Sequence, residues 1–240
     1  MKEKDWYKNW FNTPYYHILY KDRNDREAEL FIRKITKFLE LPKTTHILDL
    51  PCGKGRHSKF FNSLGYQVTG ADLSENSIAF AKQFENDKLS FKVHDMLVPF
   101  VNSYDVIVNL FTSFGYFDNV QNKRVLQNIK NALNPNGYFI FDFLNARYIK
   151  ENLISNEIKV VDSIPFYIER SITNGEIIKN ISFAADGQNF SFSEVVKYLD
   201  VETIKNMLQE VGFEISSIFG DYELNPFDEA SSERLVIVAQ

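Results

Sequence analysis

His46-Ile47-Leu48-Asp49-Leu50-Pro51-Cys52-Gly53-Lys54-Gly55-Arg56-His57-Ser58 is the stretch whose reading decides the fold. Positions 47–50 form an apolar run broken by a single acid, the pattern of a buried parallel strand. A loop with two glycines follows, then a segment of helical pattern that stops at Leu64-Gly65. Such a strand–loop–helix unit sets bare backbone beside a helix N-terminus, where N–H groups without helical partners point outward. Glycine lets a ligand come close there, because no Cβ intervenes.

Two acids sharpen the reading. Asp49 lies just before the loop, and Asp72 falls at the end of the next apolar strand, 67–73. A carboxylate about 20 residues beyond the loop is placed to accept both hydroxyls of a ribose diol, and it repels a 2′-phosphate. The dinucleotide fingerprint G-x-G-x-x-G is not met, since the positions around the loop are Pro51, Gly53, Gly55 and Ser58. Asp49 would oppose a pyrophosphate, whereas it suits a ligand with a positive amino group. The loop therefore reads as a nucleoside site of another kind than NAD.

The 240 residues suit one α/β domain, 1–240, with an elaboration. A net charge of −5 disfavours a nucleic-acid partner. No run of 18 apolar residues exists, so no membrane span is expected. The charged start, 1–6, lacks the apolar segment of a secretory signal. One cysteine, Cys52, excludes an internal disulfide and agrees with a cytoplasmic protein. His17, His46, His57 and His94 show no metal-ligand spacing, and no metal is expected.

Residues 1–40 read as a lid and a helix. Trp6, Tyr7, Trp10, Phe11, Tyr15, Tyr16, His17 and Tyr20 make a segment that docks on the core and can also enclose a ligand. Asn24-x-x-Glu27 resembles a capping box ahead of a helix through Ala28, Phe31, Ile32, Ile35 and Leu39. After the second strand, Ser74 caps a helix predicted to run to Phe84. Strand three, 89–96, ends in His94-Asp95-Met96, and its acid can accept from an exocyclic amine. Strand four, 104–111, runs into the aromatic loop 112–117. Open α/β sheets bind ligands at that edge, so Phe114 and Tyr116 are expected on a pocket wall. Asp118 caps a further helix, which Asn134-Pro135-Asn136-Gly137 ends before strand five, 138–143.

From 157 to 199 the pattern changes to strand alternation. Asn174-Gly175 and Asp186-Gly187 are hairpin turns between strands at 166–173, 176–183 and 189–199. This antiparallel meander, 155–199, can cover the substrate, form a homodimer surface, or do both. Residues 200–240 add a helix capped by Asp200 and two closing strands, 213–219 and 234–239. The expected fold is a seven-stranded, mostly parallel Rossmann-like sheet with helices on both faces and an inserted antiparallel β meander.

With these residues in hand, the chain resembles the class I S-adenosylmethionine-dependent methyltransferases, over roughly 41–145 by motif and 200–240 by layout. The family's glycine-rich motif matches the stretch from Leu48 to Gly55, its ribose acid matches Asp72, and its adenine-contacting acid matches Asp95. The resemblance implies S-adenosylmethionine as cofactor, held in 41–145 by Asp49, Pro51, Cys52, Gly53, Gly55, Arg56, Asp72, Leu73, Asp95, Met96 and Asn109. Pro51 departs from the pattern, standing where the family usually has its first glycine. Binding then requires that this position keep a negative φ and need no N–H.

The resemblance further implies direct in-line transfer of a methyl group to N or O of a small molecule, as in the glycine- and aminosugar-N-methylating subgroup. Tyr15, Tyr16, His17, Phe114 and Tyr116 are the substrate candidates. Such an enzyme aligns reactants and excludes water, so no catalytic acid or base is assigned. Were the nucleophile to need deprotonation, His17 and Tyr116 are the candidates. The competing reading is a non-catalytic S-adenosylmethionine- or S-adenosylhomocysteine-binding module with a protein partner. An NAD oxidoreductase is disfavoured by the glycines, and RNA modification by the lack of a basic stripe. The Asn-Pro-Pro-Tyr-like tetrapeptide of amino-nucleobase methylases is absent, because strand four continues Asn109-Leu110-Phe111-Thr112.

Overall fold

The computed structural model describes residues 6–21 and 25–240. Asn24, the expected capping residue, and the charged start at 1–5 lie outside them. Ile47 and Leu48 are fully buried in β1 (His46–Asp49), as an apolar run in a central strand requires. β1 pairs in parallel with β2 (Gln67–Asp72) on one side and β4 (Tyr104–Asn109) on the other. β3 (Leu89–Val93) extends the sheet beyond β2, and β5 (Leu133–Leu144) extends it beyond β4. β11 (Arg234–Ala239) then runs antiparallel to β5, with β10 (Ile215–Phe219) antiparallel at the edge. The seven-stranded order is β10-β11-β5-β4-β1-β2-β3. The expected mostly parallel sheet is what forms.

Helices cover both faces, each by its apolar stripe. On one face, α3 (Asp25–Phe38), α4 (Arg56–Ser63) and α5 (Glu75–Ala81) bury Phe31, Ile35, Phe61 and Ile78 against Ile47, Val68 and Val108. On the other, α6 (Asn119–Asn131) and α8 (Val201–Glu210) bury Val125, Ile129, Ile204 and Leu208 against Leu48, Ile107 and Phe139. The predicted caps hold. Ser74, Asp118 and Asp200 each accept a backbone N–H from the third residue on. A 3-10 turn, Lys82–Phe84, finishes the α5 segment.

Three details differ from the sequence expectation. β5 starts at Leu133, so the Asn134-Pro135-Asn136-Gly137 turn lies inside a strand with Asn136 at φ 62°. A register shift between Tyr104 and Val106 absorbs the irregularity, and Asn134 Nδ2 donates to Asp105 Oδ1 at 2.7 Å. Second, α7 (Ala146–Glu151) follows β5, where Asn145 caps it by accepting from the N–H groups of Arg147 and Tyr148. Third, the meander has four strands: β6 (Asn156–Val161), β7 (Ile164–Thr173), β8 (Glu176–Ala185) and β9 (Gln188–Lys197). The turn between β6 and β7 is Asp162-Ser163, both at positive φ. It has no glycine, so the sequence offered no marker for it.

The chain's first described elements, α1 (Trp6–Trp10) and α2 (Pro14–Leu19), sit on the meander. Trp6, Trp10 and Leu19 form a small core with Phe166, Ile168, Ile181 and Phe183. Thr13 caps α2 by accepting from Tyr16 N, and Pro14 opens the helix where a missing N–H costs nothing. No helix among the described residues is long and apolar enough to cross a membrane.

Candidate functional site

A cavity of about 910 Å³ opens above the carboxyl ends of β1, β2 and β4, beneath α1, α2 and one wall of the meander. Its volume is at the upper end for a small-molecule site and leaves room for two ligands side by side.

The β1–α4 loop forms its floor. Cys52 N–H donates to Ala71 O at 2.9 Å, tying the loop to β2. Gly53 N–H donates to Asp72 Oδ2 and Ser74 N–H to Oδ1, each at 2.8 Å. Two backbone donors thus fix the Asp72 carboxylate while each oxygen keeps further acceptor capacity toward the cavity. Burial raises the pKa of Asp72, and the bonds from Ser74 and Gly53 pull it back. Gly53 sits at φ 53°, and a Cβ built there would meet open space. Gly55 serves a different end. At φ 80°, a Cβ would lie 2.6 Å from Phe91 Cζ, so glycine is needed to seat α4 against β3, and Gly55 is not on the wall.

Asp49 lies beneath the floor and is 1% exposed. Ser58 Oγ donates to its Oδ2 at 2.6 Å, while Oδ1 is buried with no partner among the described residues. Burial pushes its pKa up to about 7, against the lowering effect of the Ser58 bonds. Asn109 is also beneath the wall. Its Nδ2 donates to Leu50 O and Ser113 O, stitching the end of β1 to the loop after β4. Pro51, joined to Leu50 by a cis peptide, lines the cavity with Cys52, Gly53, Arg56, Asp72, Leu73, Asp95 and Met96. Arg56 lies over the Phe111 ring, 4.6 Å from its centroid.

Of the expected substrate residues, Tyr16, His17 and Tyr116 reach the cavity. Tyr15 turns to the meander instead, donating to Asp186 Oδ2 at 2.8 Å and packing on Phe183 and Phe190. Phe114 is a core residue, 2% exposed and edge-on to Phe141; the chain reverses at Gly115, φ 79°, so that Tyr116 and Phe117 face the cavity in its place. Burial, with Lys54 nearby, lowers the His17 pKa to about 4 and keeps the ring neutral at physiological pH. Tyr116 spends its hydroxyl on Thr112 O at 3.1 Å.

The lid is fastened on two sides. Ser74 Oγ donates to Asn12 Oδ1, and Asn76 Nδ2 donates to Asn12 O. On the far side, Glu194 of β9 accepts from Trp10 Nε1 at 2.7 Å and Tyr20 OH at 2.6 Å.

The sequence reading missed Lys179, Glu194 and Arg234, all on the wall. Beneath Arg234 lies fully buried Asp142, whose Oδ1 accepts from Arg234 Nε and Nη2 and whose Oδ2 accepts from Phe111 N and Tyr222 OH, at 2.6–2.9 Å. An acid inside the apolar run Phe141-Asp142-Phe143 was the available signal, since a buried charge demands partners. The sequence did not say which.

A family model described as a methyltransferase domain matches residues 22–218. Among curated proteins, the chain is 29% identical over 220 residues to “Putative methyltransferase YqeM” of Bacillus subtilis, covering 85% of this chain and 88% of that one. It is 25% identical to the glycine/sarcosine N-methyltransferase of Halorhodospira halochloris, covering 93% and 84%. Among solved structures, an S-adenosylmethionine-dependent methyltransferase from Clostridium acetobutylicum superposes with a TM-score of 0.80 at 20% identity, over 94% of this chain and 95% of that one. The chain belongs to the methyltransferase family, in its S-adenosylmethionine-dependent class. S-adenosylmethionine is the methyl donor. The cavity fits it: Gly53 leaves open space and Asp72 faces the cavity with acceptor capacity in reserve, while beneath the loop Asp49 keeps an orphaned buried oxygen.

Proposed function

We propose that this protein methylates N or O of a small molecule by direct in-line transfer. The observation that carries the reading is one cavity shared by two unlike walls. One is the loop and acids of β1–β3, and the other is an aromatic lid with Tyr16 and Tyr20, joined by Tyr116 of the loop after β4. The first has the groups for a donor, with Asp72 accepting from a ribose diol, Asp95 from an exocyclic amine, and Asp49 serving an amino group. Pro51, Cys52, Leu73 and Met96 would flank it, and Arg56 would meet a carboxylate. Bound S-adenosylmethionine supplies an electrophilic methyl group. The chain's part is to hold both ligands, exclude water and place the acceptor. Aromatic faces at Tyr16 and Tyr116 suit positive charge at the junction of the two walls. A neutral His17 adds no opposing charge there.

This reading divides the chain into a lid and helix at 1–40, a donor-binding half at 41–145, the meander at 155–199 and a closing unit at 200–240. A cytoplasmic setting accords with the buried free thiol of Cys52. The meander's outer face carries Ile158, Val160 and Tyr167, each at least half exposed, which supports a homodimer through that surface. Sedimentation tests this: a monomer at micromolar concentration contradicts it.

The relatives accord with a nitrogen acceptor, since one is named for glycine and sarcosine and a structure with TM-score 0.73 is named an amino pentose methyltransferase. The deciding experiment is release of S-adenosylhomocysteine with panels of amines, hydroxy compounds and carboxylic acids. Turnover on a small acceptor supports the enzyme. Donor binding without turnover on any panel or in cell extract supports the non-catalytic module.

A further inference from the structure

We infer that Arg234 is a specificity residue that binds a carboxylate on the acceptor molecule, an assignment that rests on the small-molecule reading above. Arg234 opens β11, at the carboxyl edge of the sheet, opposite Leu144 of β5. Its Nε and Nη2 both donate to Asp142 Oδ1, and Nη2 also donates to Thr112 Oγ1 at 3.0 Å. Nη1 has no acceptor among the described residues, and the side chain, 21% exposed, lines the cavity.

The guanidinium cannot turn away. Asp142 is itself held by Phe111 N and Tyr222 OH, so all four of its acceptor positions are taken and its orientation is set. The backbone is bent to the same end. Phe111 and Thr112 are consecutive residues at positive φ, 64° and 58°, and this turn brings Thr112 to Arg234. A rigid, charged donor on a cavity wall, with one nitrogen not engaged by the protein, is the arrangement that recognises an oxygen anion. Asp142 keeps Arg234 charged against the cost of its burial.

A guanidinium favours a carboxylate over a neutral oxygen, because the charge-assisted pair is the stronger bond. The wall acids Asp72, Glu75 and Asp95 stand near the donor loop together with Lys54 and Arg56, and at the far side Lys179 is paired with Glu194, so Arg234 is the cation on the β11 side of the wall. An acceptor with its nucleophile toward the donor and a single negative charge toward β11 would meet this guanidinium. A dianion would ask for more than one exposed guanidinium nitrogen.

The test uses the full chain, methyl-labelled S-adenosylmethionine and a whole cell extract as the acceptor source, separated by size after the reaction. Labelled low-mass products are treated with acidic ethanol and weighed by mass spectrometry. The product is expected to gain an ethyl ester. Arg234→Lys keeps a cation beside Asp142 but loses the fork, and should form product at least tenfold more slowly at limiting acceptor, while S-adenosylhomocysteine affinity stays within twofold. If Arg234→Lys fails to fold, the neutral pair Arg234→Gln with Asp142→Asn replaces it. A product without a carboxyl group, or a folded variant as fast as the parent, overturns the assignment and leaves the methyltransferase reading intact. Label found only in macromolecules overturns the small-molecule reading, and this proposal with it.

Discussion

Ser58 Oγ donates to one oxygen of Asp49 at 2.6 Å and leaves the other, Oδ1, buried without a partner. That half-satisfied carboxyl sits beneath the loop, and its burial carries a cost that shows in pH.

The pKa of Asp49 is about 7 in the folded chain against an ordinary value of 3.8. Between roughly pH 4 and 7 the folded state holds a proton that the unfolded state has released, so stability falls as pH rises through that window. Asp49→Asn removes this contribution and should gain stability relative to the parent on going from pH 5 to pH 8, in urea denaturation at each pH. The same variant should bind S-adenosylhomocysteine more weakly. Parallel pH curves for the two proteins would contradict the assignment.

Gly55→Ala should destabilise the fold by about 1–3 kcal/mol, because the new Cβ overlaps the Phe91 ring in addition to resisting φ 80°. Phe91→Leu removes the overlapping ring atoms. The alanine should therefore cost measurably less in that background, as a double-mutant cycle in denaturant would show. An equal cost in both backgrounds would mean that backbone strain alone is at work.

His17 should titrate near pH 4, since burial and then Lys54 disfavour its charged form. Between about pH 4 and 6.5 the unfolded chain binds a proton that the folded chain refuses, so this residue adds stability as pH rises. NMR of the imidazole measures the midpoint. A value near 6.5 would place the ring in water and reopen His17 as a general base.

Asp142→Ala should cost about 3–5 kcal/mol, leaving the part-buried Arg234 without its counter-charge. Glu29→Ala, which breaks the exposed pair with Arg33, should cost less than about 1 kcal/mol. Equilibrium unfolding compares the two, and equal costs would contradict the role given to Asp142.

The sequence was informative wherever one local rule set the outcome. The apolar run at β1, the caps at Ser74, Asp118 and Asp200, and the Asn-Gly and Asp-Gly turns each depend on neighbours within a few residues. Asp72 belonged to that class, since it follows the loop by a fixed chain length. Arg234, Glu194 and Lys179 did not, because long-range folding alone brings them to the cavity, from 92 residues away in the Arg234–Asp142 pair. Phe114 and Tyr116 show the remaining limit. Two aromatics in one loop look alike in sequence, and the reversal at Gly115 decides which is core.

The central claim is that the crevice above β1 and β2 holds the methyl donor through the Asp72 carboxylate. Isothermal titration of S-adenosylhomocysteine into the parent and Asp72→Ala proteins tests it most directly. The parent should bind, and the variant should lose about 1–3 kcal/mol of affinity with the charge-assisted bonds to the ribose hydroxyls. A parent protein that does not bind, or a folded variant that binds as tightly as the parent, would contradict it.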